Sequence, residues 1–212
     1  MVKWYFDYLT HRNINIELHG EKISASIGVG FPQGGVASAK FWLIAFDEAV
    51  GIINSHGVTG HAFADDCAAL VGGTHVAHLR NKLQKVLNDL TSWGNTCGLR
   101  FNQQKYIAVH FTRRRKDPPA PLIIDGNPVV YEKTVKYLGV TMDSKLHWQV
   151  HVENEVKQAK RQLFALNSIV TKTWGPKPAL IRWVYTGMVR PALLYASVNW
   201  AHEVQTGRVI KK

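Results

Sequence analysis

Gly60-His61-Ala62-Phe63-Ala64-Asp65-Asp66-Cys67-Ala68-Ala69-Leu70-Val71 sets two adjacent carboxylates, Asp65 and Asp66, between two short apolar segments. The pattern predicts a strand, a tight turn and a second strand, with the acids at the tip. Aspartate favours turns for its own local hydrogen bonding, and a solvated acid turn that binds nothing is the ordinary outcome of such a pair. Here the flanks are small and apolar, and no Gly, Asn or Pro marks the turn. An acid pair held between apolar strands is costly unless a cation lies against it. Carboxylates are hard oxygen donors suited to Mg2+, which takes one or two of them together with substrate phosphates. Phosphoryl or nucleotidyl transfer is the first chemistry this stretch raises.

Upstream lies Gly28-Val29-Gly30-Phe31-Pro32-Gln33-Gly34-Gly35-Val36-Ala37-Ser38, followed by the apolar run Phe41 to Phe46. Gly and Pro specify an irregular loop, and the spacing after Val36 turns helical. Backbone amides at such a helix start can face a phosphate or a sugar, and Gln33 offers both a donor and an acceptor. A glycine-rich turn leading into a core helix is the other reading of the same residues.

At 212 residues the chain can bury one core, or a core and a smaller partner. Lys and Arg number 26 against 15 acids, a net charge of +11, which points to a polyanionic partner. Most of the excess is C-terminal, with eleven Lys and Arg against three Glu from Lys145 to Lys212. The two cysteines, Cys67 and Cys97, form no disulfide framework or zinc pattern and suit a reducing, intracellular setting, cytoplasmic or nuclear. The N-terminus lacks a signal-like apolar stretch, and the run from Phe41 to Ile53 is broken by Asp47 and Glu48, so no membrane partner is expected. Arg113-Arg114-Arg115-Lys116-Asp117-Pro118-Pro119 reads as a solvated loop.

Periodicity predicts a helix over 2–9, a hairpin of 13–18 and 22–27 turned at His19-Gly20, and a helix from Val36 to about Ser55. Val76, Leu79, Leu83, Val86, Leu90 and Trp93 form a helical stripe closed by Gly94 and Gly98. Strands follow over 106–111 and 135–141, with a hairpin of 122–124 and 128–130 around Asp125-Gly126-Asn127. Beyond Asp143, Trp148, Val152, Val156, Ala159, Leu163, Leu166 and Val170 mark one helix face. A last helix starts after Pro176 or Pro178, and Pro191 should kink or end it. Helices on one face of a mostly antiparallel sheet make an α+β domain. His147 and His151, and His75 and His78, have spacings that could present two imidazoles to a metal, but neither pair has a third ligand, so surface positions are expected. His202-Glu203 lacks the second histidine of a zinc-hydrolase helix. Cys67 reads as a small buried strand residue.

Taken together, Gly-Phe-Pro-Gln-Gly-Gly-Val-x-Ser and Phe-Ala-Asp-Asp closely resemble the reverse transcriptases of non-LTR retrotransposons of the Jockey-like and LINE-like kind. The resemblance continues in order through Gly98-Leu99-Arg100-Phe101-Asn102-Gln103-Gln104-Lys105, Val135-Lys136-Tyr137-Leu138-Gly139-Val140-Thr141-Met142-Asp143, Trp174-Gly175-Pro176-Lys177 and Val189-Arg190-Pro191-Ala192-Leu193-Leu194-Tyr195. It implies a polymerase palm over 1–144, a ferredoxin-like antiparallel sheet with helices on one face, and a small helical thumb over 145–212.

The activity so implied is DNA synthesis templated by RNA, with two Mg2+ ions roughly 3.5 to 4 Å apart, or Mn2+ in their place. By the resemblance, Asp65 is the first metal ligand and Asp66 a weaker ligand or orienting acid. Phe31, Pro32, Gln33, Gly34, Gly35 and Ser38 border the incoming deoxynucleoside triphosphate and the template, and Lys105 stabilises or protonates the leaving pyrophosphate. Tyr137, Leu138 and Gly139 steady the DNA primer end.

The family's further catalytic aspartate, the fingers and the rest of the palm belong upstream of the helix that here begins near Val2. They are expected to be missing partners of this chain, and no endonuclease domain is expected in it. Asp7 and Glu17 lack the family context. Ser38-Ala39-Lys40 departs from the usual Ser-Pro-apolar continuation and sets a cation at the positive end of a helix dipole. The chain alone is therefore expected to polymerise weakly or not at all and to leave a central strand as an aggregation-prone edge. A non-catalytic nucleic-acid-binding remnant, or an inert relic of a mobile element, are the alternatives.

Overall fold

The computed structural model describes residues 6–7, 9–10, 12–28, 30–114, 117–168 and 175–205. Of the helix expected over 2–9, Phe6, Asp7 and Leu9 are helical, and the remainder lies outside the described residues. Val29, Arg115, Lys116, Val170 and Trp174 lie outside them as well. The chain is α+β, and by its contacts it forms two units, Met1–Lys105 with Leu122–Pro128, and Tyr106–Pro121 with Val129–Lys212. This grouping differs from the 1–144 and 145–212 division, which followed the family's functional parts.

In the first unit, β1 (Arg12–Leu18) and β2 (Glu21–Ile27) form an antiparallel hairpin. Helix α1 (Ser38–Ser55) leads into β3 (Thr59–Phe63) and β4 (Asp66–Leu70), then helix α2 (Val76–Cys97). Amphipathic α1 and α2 close a core of Phe46, Ala49, Ile53, Val58, Val86, Leu90 and Trp93. Strand β3 comes so close to α1 that a Cβ on Gly60 would lie 3.0 Å from both Cβ and Cγ2 of Ile53. The Gly60 amide also donates to Asn54 Oδ1 at 2.9 Å, fixing where the chain re-enters from α1.

Gly98, at φ 70°, caps α2 in the left-handed conformation. Gly94 does not end the helix as expected. It is buried inside α2, where a Cβ would meet the Leu99 carbonyl oxygen at 2.8 Å, so its role is to admit the returning chain. The short strand β6 (Leu122–Ile124) is held to α2 by Gln84, whose amide accepts from Ile123 N at 2.8 Å and donates to Ile123 O at 2.6 Å. It is paired with β7 (Asn127–Val129).

In the second unit, β5 (Ala108–Val109) runs parallel to β8 (Tyr131–Glu132). The single strand expected over 135–141 is a hairpin, β9 (Thr134–Tyr137) and β10 (Val140–Asp143), because Leu138 and Gly139 take φ 46° and 82° and reverse the chain. Likewise only Ala108–Val109 of the strand expected over 106–111 is extended and paired. The Asp143 carboxylate accepts from the amides of Lys145, His147 and Trp148 at 2.8 to 2.9 Å, organising the start of helix α3 (Gln149–Ser168).

His151 is fully buried on α3, against the surface position expected for it, while Leu163 is exposed. The reason is local: its Nδ1 lies 3.4 Å from Thr141 N, which donates to it, and its ring meets Trp200 edge to face at 6.3 Å. Helix α4 (Pro178–Val184) opens on Pro178 and widens into a π turn, Tyr185–Val189, before α5 (Arg190–Leu193) and α6 (Ser197–Gln205). Pro191 lacks an N–H and crowds the carbonyl four residues back, and the widened turn lets the helix pass it.

The described strands pair two by two in five separate ribbons rather than in one antiparallel sheet. Four of the five join strands that are neighbours in sequence, all four around turns of two residues with low loop-closure entropy. The edges of these ribbons carry no further strand among the described residues. We expect Gly60→Val to lower stability by about 1–3 kcal/mol through overpacking against Ile53, read as a lower urea midpoint at unchanged slope.

Candidate active site

The acid turn sits at the end of the β3–β4 ribbon, where Phe63 pairs with Asp66 across Ala64 and Asp65. Ala64 lies at φ 53°, a left-handed conformation that costs an L-residue about 1–2 kcal/mol. Its carbonyl accepts from the indole N–H of Trp42 at 2.8 Å. Asp65 and Asp66 are both exposed, and neither carboxylate has a hydrogen-bond or ion-pair partner among the described residues. Water therefore solvates the pair, and the desolvation cost anticipated from its apolar flanks is not incurred. What the turn retains is its donor set, two adjacent hard oxygen ligands open to a cation. No group of three His, Cys, Asp or Glu side chains converges on a metal position among the described residues.

Beside the turn, a cleft of about 830 Å3 brings the glycine-rich loop together with Ala64. Phe31, Pro32, Gln33, Gly34, Gly35 and Ser38 all line it, with Trp42. The loop is tied down locally, since Gly35 N donates to Pro32 O at 3.3 Å and Ser38 N to Gly35 O at 3.1 Å, and Phe31 stacks on Phe41 at 5.9 Å. The Ser38 hydroxyl oxygen is buried without a partner, an unused polar atom at the start of α1.

Lys105 is not part of that lining. It ends an exposed 3-10 turn, Gln103–Lys105, whose Gln103 donates to Asp125 Oδ2 at 2.8 Å and accepts from Asn127 at 3.0 Å. Tyr137, Leu138 and Gly139 belong to the second unit, at the β9–β10 turn. There Tyr195 donates its hydroxyl to Leu138 O at 2.8 Å, and its ring lies where a Cβ on Gly139 would come within 3.2 Å. Trp42 and Tyr195 were not legible as partners of these turns, because each reaches a backbone carbonyl 22 or 57 residues distant. Cys67 is accessible rather than buried, yet partial burial of its thiol raises its pKa above the ordinary value.

No helix among the described residues is long and apolar enough to cross a membrane. Residues 2–142 match the family of reverse transcriptases, RNA-dependent DNA polymerases. The chain belongs to that family. It is similar to proteins of mobile elements: it is 25% identical over 200 residues to the RNA-directed DNA polymerase from mobile element jockey of Drosophila melanogaster, covering 89% of this chain and 21% of that protein. It is 22% identical over 193 residues to a putative 115 kDa protein in the type-1 retrotransposable element R1DM of the same species, covering 91% and 19%. The jockey polymerase of Drosophila funebris is 27% identical over 178 residues, covering 80% and 19%. The chain thus spans about a fifth of the length of these three. No solved structure matches it.

Two outcomes follow from this geometry. Tyr195→Phe should cost about 0.5–1 kcal/mol, because a neutral hydrogen bond is lost while the ring contact with Gly139 stays; urea unfolding reads it. The raised pKa keeps Cys67 protonated at neutral pH, so its alkylation by iodoacetamide should be slow at pH 7 and climb steeply as pH rises, measured against Cys67→Ser.

Proposed function

We propose that the chain carries the acid pair, nucleotide cleft and primer-contacting turn of an RNA-templated DNA polymerase, with residues 1–144 as palm and 145–212 as helical thumb. The observation that carries this reading is the cleft in which Phe31 to Gly35 and Ser38 share a wall with Ala64, the residue before Asp65. A deoxynucleoside triphosphate in that cleft would lie against backbone amides of the loop, with Gln33 and Ser38 as side-chain partners. Its phosphates would approach the exposed carboxylates.

In the reaction the primer 3′ oxygen bonds to the α-phosphorus as the bond to the bridging oxygen breaks. Pyrophosphate leaves, and the hydroxyl proton passes to water. Asp65 and Asp66 fit a hard divalent cation by their oxygen donors, and Mg2+ or Mn2+ held there would activate the attacking oxygen and offset charge on the leaving group. By the family's motifs, Lys105, which lies outside the cleft lining, would offer an ammonium to the departing pyrophosphate, and Tyr137, Leu138 and Gly139 would hold the primer end.

Two carboxylates fall short of a complete two-ion ligand set. The chain by itself is therefore expected to extend a DNA primer on an RNA template weakly or not at all. Primer extension in Mg2+ and Mn2+, beside an Asp65→Asn control, tests this. Extension abolished in the control would show that a further ligand completes the site. A second reading, a nucleic-acid-binding remnant without chemistry, is favoured by the eleven Lys and Arg from Lys145 to Lys212. Its mark is binding that weakens steeply with salt and ignores Asp65→Asn.

A further inference from the structure

We propose that Trp42 is the positioning residue of the acid turn: its indole N–H holds the Ala64 carbonyl, and through it the direction in which Asp65 and Asp66 present their carboxylates. The comparison comes from within the molecule. Among the described residues, four ribbons turn on two residues, and three of these turns, His19-Gly20, Asp125-Gly126 and Leu138-Gly139, have both φ angles positive. That is the type I′ pattern, and each ends in glycine. In the fourth, Ala64 is at φ 53° but Asp65 is outside the positive region, the pattern of a type II′ turn.

The two forms differ by rotation of the central peptide, the one joining the two turn residues. In the acid turn that peptide contains the Ala64 carbonyl, the acceptor of Trp42 Nε1 at 2.8 Å. It also contains the Asp65 amide nitrogen. Type II′ turns favour glycine at the first position, so Ala64 carries strain that a bond to its carbonyl offsets.

The donor is itself fixed. Trp42 stacks on Phe46 with centroids 5.1 Å apart, and Phe46 meets the buried Trp93 edge to face at 6.1 Å. Trp93 Nε1 in turn donates to Glu48 Oε2 at 3.0 Å. The hydrogen bond to the turn is thus delivered from the core of the first unit. Trp42 touches no reacting atom in this arrangement, and its effect passes through Ala64. The metal consequence rests on the polymerase reading above.

Trp42→Phe keeps a ring for stacking and removes the donor, and three properties of the variant are to be measured beside wild type. Mn2+ affinity, from the EPR signal of the free ion, should weaken roughly tenfold or more, as for loss of a group that orients a metal ligand. The melting temperature should move by no more than about 4 °C. The amide-to-α-proton coupling of Asp65, which reports its φ, should shift towards an averaged value. A folded Trp42→Phe with unchanged Mn2+ affinity and unchanged Asp65 coupling overturns the proposal. Should wild type bind Mn2+ no better than the Asp65→Asn, Asp66→Asn double variant, the metal reading fails, while the Asp65 coupling still decides the role of Trp42. If Trp42→Phe does not fold, hydrogen exchange in wild type decides: slow exchange of the Trp42 indole N–H supports the bond, and exchange at the rate of an exposed indole overturns it.

Discussion

The close approach of β3 to α1 at Gly60 and Ile53 is the constraint on which the rest of the first unit depends. It sets one helix against the ribbon that ends in Asp65 and Asp66. The same helix starts at the loop that contains Gln33 and presents Trp42 one turn later. Loop, indole and acid turn therefore share a single rigid support, and their spacing follows from where α1 lies on β3. A side chain at position 60 would shift the ribbon against the helix and misplace all three together. Placing functional groups on a packed helix and a short ribbon, rather than on long loops, is how such spacing is kept.

The parts legible from sequence were those with strong local signals. Hydrophobic spacing places the starts of α1 and α2 within two residues, and His19-Gly20 and Asp125-Gly126 announce their turns through glycine. The turn at Leu138-Gly139 is hidden in the sequence because the run from Val135 to Thr141 alternates like one strand and its glycine falls inside a motif. Gly94 has the local signature of a helix stop, whereas its role is steric, a close approach of the Leu99 carbonyl that no local pattern encodes. His151 reads from sequence as a surface residue, because histidine usually lies there, and only the packing of Trp200 and β10 buries it.

The candidate site divides the same way. Motif order singles out the loop and the acids, and the fold sets the loop and Ala64 on one cleft. Nothing local could reveal that Trp42 serves the acid turn. An indole at helical spacing reads as core, and Trp42 is indeed part of the aromatic column with Phe46 and Trp93. Its second face, the N–H, has a partner defined by tertiary structure alone. Lys105 shows the converse, since the motif names it while the fold leaves it on a separate exposed turn tethered to Asp125 and Asn127.

The exposure of the two carboxylates has a consequence for folding. A site whose ligands are buried in the folded state must be filled or neutralised before the chain can fold, and chelators then denature it. Asp65 and Asp66 stand in water on a ribbon already closed by its own ladder and by Trp42. Closing this turn therefore requires no counter-charge from the rest of the chain, and the fold stands independently of whatever the two carboxylates meet in solution.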